Sequence, residues 1–140
     1  MNSHFSSNEI SNDLLTRFTE GINKFNDKDF YECHDILEDI WFEIRGDSRR
    51  FYQGLIHLAV GFYHILERKN PGGAFSQLNK GITKLDKYKP EFLGVELENL
   101  LKKIQLCISE IEKLKNAKKE EFKENFIPKI EFDKSIFLNN

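Results

Sequence analysis

His34 and Glu38 stand four residues apart in the stretch Phe30-Tyr31-Glu32-Cys33-His34-Asp35-Ile36-Leu37-Glu38-Asp39-Ile40-Trp41. On a helix this spacing places an imidazole and a carboxylate one turn apart on one face, where they can chelate a single metal ion. A second polar set, Gln53, His57 and His64, follows on the next segment. At about 100° per residue its members lie within roughly 40° of one another. His57 and His64 would be about 10.5 Å apart along a helix axis, too far to share an ion. A metal-dependent enzyme, such as a hydrolase, would therefore use His34 and Glu38 as ligands to one divalent ion, with His64 as third ligand or general base. The preferred reading is plainer: Glu38 accepts a hydrogen bond from His34, and Gln53 or a histidine of the next helix completes a buried polar network without cofactor.

Other chemical signatures are weak. GxSxG, Walker A, GxGxxG and HExxH patterns are absent from the sequence, which removes the usual marks of several hydrolase and nucleotide-binding classes. Gly72-Gly73 opens a helix, and a helix N-terminus can hold an anion, but a tight loop with Pro71 accounts for the glycines as well. Arg45, Arg49 and Arg50 cluster after an acidic helix and are expected to pair with the protein's own carboxylates near the ends of helices two and three.

These residues need helices to position them, and the hydrophobic spacing supplies five. Residues 1 to about 10 read as loose. Leu14, Phe18, Ile22 and Phe25 mark a first helix ending near Asn26. Asp27 is expected to cap the second. On it Phe30, His34, Leu37, Trp41 and Ile44 form an inward stripe, which makes Trp41 a core residue. Glu32, Asp35, Asp39 and Glu43 form an acidic solvent face. Glu38 falls on the shoulder of the stripe, so at least partial burial is expected.

Gly46-Asp47 breaks the chain, and Ser48 caps a third helix over about 48–69. Its two apolar stripes make it the central, largely buried element. Gly54 and Gly61 lie two turns apart on it, as a close helix crossing would require. Pro71 opens a fourth helix with Ala74, Leu78, Ile82 and Leu85 inward, ended by Tyr88-Lys89-Pro90. A fifth runs from near Gly94 to about Lys115. The segment Phe126-Ile127-Pro128-Lys129-Ile130-Glu131-Phe132 reads as extended, lying across the bundle or reaching a partner.

Length and composition agree with one globular unit. The 140 residues are 39% hydrophobic and 31% charged, with thirteen Phe against a single Trp, so the core should be filled by rings. A net charge of −2 argues against a general nucleic-acid binder. Lys118, Lys119 and Lys123 interleave with Glu120, Glu121 and Glu124 as a solvated helix face would. Cys33 and Cys107 form no CxxC and read as buried free thiols of a reducing compartment. The N-terminus has no basic or apolar signal region, and no apolar run is long enough for a membrane span. A soluble, cytoplasmic protein is the expectation.

The motifs Phe25-Asn26, Phe30 through Glu38 with Trp41, Phe51-Tyr52-Gln53-Gly54-Leu55-Ile56 with Ala59 and His64, and Asn70-Pro71-Gly72-Gly73-Ala74 together resemble the domain-of-unknown-function family 309. Leu78, Gly81, Leu85, Tyr88, Pro90 and Gly94 continue the likeness, which covers roughly residues 20–100. It implies a small all-helical bundle with no established biochemical activity. His34, Glu38, Trp41, Gln53 and His64 fall on the family pattern. His57 stands where the family more often carries another polar residue, which lowers its standing as a ligand.

The expectation is therefore an all-α, single-domain bundle over residues 1–116, with a charged and extended tail over 117–140. Its leading role is a non-enzymatic interaction or assembly module organised by His34, Glu38, Trp41, Gln53 and His64. A homodimer through the surplus aromatics or the tail is a further reading.

Overall fold

The computed structural model describes residues 7–116 and 121–139. Among them α1 spans Ser7–Asn26, α2 Phe30–Glu43, α3 Arg49–Leu66, α4 Pro71–Leu85, α5 Glu98–Asn116 and α6 Lys134–Leu138. A two-stranded antiparallel hairpin, β1 (Glu91–Phe92) and β2 (Val95–Glu96), separates α4 from α5. The all-α expectation holds, with one short helix and one small hairpin more than the periodicity showed. No described helix is long and apolar enough to cross a membrane.

α1 begins earlier than expected, since Ser7–Ile10 are already helical; the first six residues lie outside the described range. Phe18, Ile22 and Phe25 are buried as the spacing required. α2 returns antiparallel after a turn in which Lys28 takes a left-handed conformation, so Asp29 rather than Asp27 precedes the helix. Gly21 lets the two helices approach, for a Cβ there would lie 3.0 Å from Leu37 Cδ2. The acidic face of α2 turns out to be partly an α1 contact. Arg17 holds Glu43 through two hydrogen bonds of 3.0 and 2.6 Å, and Lys24 pairs with Glu32 at 3.0 Å. The Arg17 hydrogen bonds hold the Glu43 carboxyl below its usual range.

α3 is the central helix, burying Phe51, Tyr52, Leu55, Leu58, Ala59, Phe62 and Ile65 among others. It packs most closely on α4. Leu85 of α4 sits over Gly54 and Leu78 over Gly61, while Leu58 of α3 sits over Gly81. Each glycine is the notch for a leucine of the facing helix, which is the close crossing the α3 glycines implied. Asn70 caps α4 by accepting a hydrogen bond of 3.0 Å from the Gly73 amide, with Pro71 in the first turn.

The hairpin and the C-terminal segment close the bundle. Leu93 and Gly94 make the turn, both with positive φ. Any Cβ at Gly94 would lie 2.2 Å from the Asp133 carbonyl oxygen, because the tail docks there. The Asp133 amide donates to the Gly94 carbonyl at 2.8 Å and the Glu96 amide to Glu131 at 3.0 Å. Asn26 receives the same segment with its side chain, accepting from the Ile130 amide at 2.7 Å and donating to the Ile130 carbonyl at 3.0 Å. Ile127, Ile130 and Phe137 are buried in the core. Lys118, Lys119 and Glu120, expected on a charged helix face, lie outside the described residues; Glu121, Lys123 and Glu124 are exposed.

Rings do fill much of the interior. Phe18 meets Phe51, Tyr52, Phe132 and Phe137, and Phe25, Phe30 and Phe62 form a second group. Cys33 and Cys107 are buried and free. Burial pushes each thiol up to about 12, so neither offers a thiolate nucleophile near neutral pH.

Candidate functional site

The inward line of α2 is Phe30, Cys33, Leu37 and Ile40, all buried. The expected stripe through His34 and Trp41 is therefore rotated outward. At about 100° per residue His34 sits roughly 80° from the centre of the buried line and Glu38 roughly 120°. The consequence is a correction to the expected buried cluster: His34 retains 25% side-chain exposure and Glu38 41%. Gln53 and His64 are half-buried as well, and no polar or charged residue among those described is fully buried.

His34 stands between two carboxylates. Its Nε2 lies 3.4 Å from Glu38 Oε2, as the four-residue spacing required, and its Nδ1 lies 3.2 Å from Asp35 Oδ1. Asp35 is the partner that helical spacing did not suggest, since adjacent residues on a helix do not normally face each other. Among the described residues no three His, Cys, Asp or Glu side chains gather into a set that could hold a metal ion. His34 and Glu38 thus form a pair without a third donor.

His34 and His64 do come together, as walls of one cavity. It holds about 160 Å³ between α2 and α3 and is lined by Phe30, Tyr31, His34, Val60, Tyr63 and His64. Its exposed walls are almost entirely apolar. His64 Nδ1 is buried and receives no hydrogen bond from the described residues. On its other side the His64 ring is close to α4, for a Cβ at Gly73 would lie 3.3 Å from its Cδ2. The tyrosines were missed as site residues. Their signal was the pair Phe30-Tyr31 on α2 facing Tyr63-His64 on α3, two neighbouring aromatic couples that an antiparallel hairpin of helices brings level.

Glu38, Gln53 and Trp41 do not line this cavity. Trp41 is half-buried rather than core, and the Arg49 guanidinium lies 3.9 Å from its ring centroid. Arg45 donates to the carbonyls of Phe42 and Ile44 at the end of α2, instead of pairing with a carboxylate. His57 faces α4, where its Nδ1 lies 2.7 Å from Gln77 Oε1 and its Nε2 is buried without a partner among the described residues. Desolvation holds its pKa down, with Lys84 and Lys80 contributing, although the Gln77 hydrogen bond opposes the shift.

Residues 18–76 match the model of a family described as "Domain of unknown function (DUF309)". The resemblance read from the motifs is thereby shown from the second half of α1 through α2 and α3 to the start of α4, the segment that carries His34, Glu38, Trp41, Gln53 and His64. A curated relative, the uncharacterized protein YpuF of Bacillus subtilis (strain 168), is 36% identical over 88 residues. The alignment takes in 61% of this chain and 50% of that protein, so the chain spans about half the length of the curated relative it matches.

Proposed function

We propose that this bundle is a non-enzymatic recognition module whose binding site is the cavity between α2 and α3. The observation that carries the reading is the open, largely apolar cavity of about 160 Å³ that Tyr31, His34, Tyr63 and His64 wall together with Phe30 and Val60. A ligand that covers these rings takes apolar surface out of water, and small-ligand sites are commonly lined by hydrophobic and aromatic side chains. His34 would offer its ring to the ligand, its two nitrogens being held by Asp35 and Glu38 from outside the cavity.

A metal-dependent enzyme built on His34, Glu38 and His64 is the competing reading, and the four-residue spacing is what supports it. It lacks the third donor noted above. One experiment separates the two. The full-length protein is titrated with a panel of small amines, carboxylic acids and neutral aromatic compounds, followed by NMR, and the same panel's esters and phosphoesters are assayed for turnover. Saturable shifts at Tyr31, His34, Val60, Tyr63 and His64 without turnover are expected. Turnover abolished by His34→Ala at unchanged stability would sink the recognition reading.

A further inference from the structure

Phe42, near the end of α2, is 60% exposed, and Trp41 beside it is half-buried with its ring centroid 5.2 Å away. The charges on either side of this pair are opposite in sign. Toward the start of α2 stand Asp35, Glu38 and Asp39. Asp35 and Glu38 reach only His34, and Asp39 is in no ion pair among the described residues. Beyond the end of α2 stand Arg45 and Arg49. Arg45 donates to the Phe42 and Ile44 carbonyls, and the Arg49 guanidinium lies 3.9 Å from the Trp41 ring centroid. Both guanidinium groups are thereby held beside the aromatic pair, and neither is paired with a carboxylate among the described residues. Glu32 and Glu43 are outside this count, because Lys24 and Arg17 of α1 hold them. Asp47 is the one carboxylate of the turn between α2 and α3, so arginine predominates at that end.

A patch that is acidic on one side of its rings and basic on the other complements itself. In a two-fold pair, contact of residue i with j is matched by contact of j with i. Asp39 and Arg45 stand three residues before and three after Phe42. An axis through Phe42, with the two α2 helices antiparallel, therefore sets Phe42 on its own copy and Asp39 opposite Arg45 of the second chain, twice over. An axis at the midpoint of α2 would instead set Asp35 against Glu38 of the second chain, like charge on like. Aromatic residues and arginine are also the side chains enriched at protein interfaces. We propose that the Trp41–Phe42 face is a homodimer interface, in which two copies of this chain pair antiparallel along α2 about a two-fold axis at Phe42, with Asp39 of each facing Arg45 of the other.

The test is the mass of the full-length protein by sedimentation velocity across the micromolar range, with melting followed by circular dichroism to show that each variant folds. The parent is expected to dimerise. Asp39→Lys and Arg45→Glu should each weaken the dimer at least about 10-fold, since like charges then meet at two places. An equimolar mixture of these two variants should dimerise again, because the introduced lysine of one chain meets the introduced glutamate of the other while a native pair re-forms across the axis. Phe42→Ser, at an exposed position, should keep the melting temperature and lose the dimer. A parent that stays monomeric throughout that range would overturn the proposal. A dimer indifferent to Phe42→Ser and to both charge reversals would overturn this face as the interface, and a mixture that stays monomeric would overturn the Asp39–Arg45 pairing.

Discussion

Replacing Gly61 by Ala tests the packing that holds α3, and with it His64, in place. A Cβ at Gly61 would lie 2.7 Å from both Cδ2 and Cγ of Leu78 and 3.3 Å from the Leu78 amide nitrogen. Leu78 is fully buried, and the contact involves its branch carbon and backbone, so a simple rotamer change cannot relieve it. Overpacking of this kind costs up to about 3 kcal/mol. The alanine returns about 1 kcal/mol of helix propensity, leaving a net loss of about 2 kcal/mol. For a chain of this length that corresponds to a fall of roughly 5–10 °C in melting temperature. Gly72→Ala is the control, since its Cβ would meet nothing closer than Asn70 Oδ1 at 3.7 Å; a gain of up to about 1 kcal/mol is expected there. Urea denaturation followed by circular dichroism measures both. The double variant Gly61→Ala/Leu78→Ala should lose less than the sum of its single changes, because the clash and the cavity partly cancel. A Gly61→Ala protein as stable as the parent would refute the reasoning.

Three further outcomes follow from the same structure. Asn26→Ala leaves the Ile130 amide and carbonyl without their side-chain partners, so a loss of about 2–3 kcal/mol and earlier proteolytic release of the C-terminal segment are expected; unchanged urea midpoints would contradict the clamp. Arg17→Met removes a two-bond contact to Glu43 that is exposed on the Glu43 side, and should cost less than about 1 kcal/mol, shrinking further in high salt. His57 binds its proton less readily folded than unfolded, so its contribution is complete above the ordinary histidine range and is lost as the pH falls through that range toward the lowered folded value. His57→Gln should flatten the stability profile in that acidic window, and an identical profile would remove His57 as the cause.

The helices were legible because their apolar spacing is strong: the four-residue steps of α1 and the two stripes of α3 leave little choice of face. The α3 glycines carried the crossing as well, although the partner notch at Gly81 did not stand out within α4. What failed was the rotation of α2. Its apolar residues span two overlapping stripes, and choosing Phe30-His34-Leu37-Trp41 over Phe30-Cys33-Leu37-Ile40 turned Trp41 inward, although the partial burial expected of Glu38 holds. The hairpin at Glu91–Glu96 was missed because two-residue strands have no measurable alternation. Its turn at Leu93-Gly94 is fixed by a tail some forty residues later, as is the role of Asn26. The His34–Glu38 pair was readable from spacing alone. The cavity beside it depends on how α2 and α3 are brought level, which no single-helix pattern encodes.

The central claim is that the α2–α3 cavity is a binding site and not merely imperfect packing. Val60 lines it and is half-buried, so Val60→Phe places a ring in the space while every histidine and tyrosine of the wall is retained. The decisive measurement is the NMR titration of parent and Val60→Phe proteins with the same panel of amines, acids and neutral aromatics, alongside their melting temperatures. The account predicts saturable binding to the parent at the cavity residues. It also predicts loss of that binding in Val60→Phe at equal or higher melting temperature. Binding that is indifferent to the filled cavity, or no saturable binding to the parent at all, would contradict it.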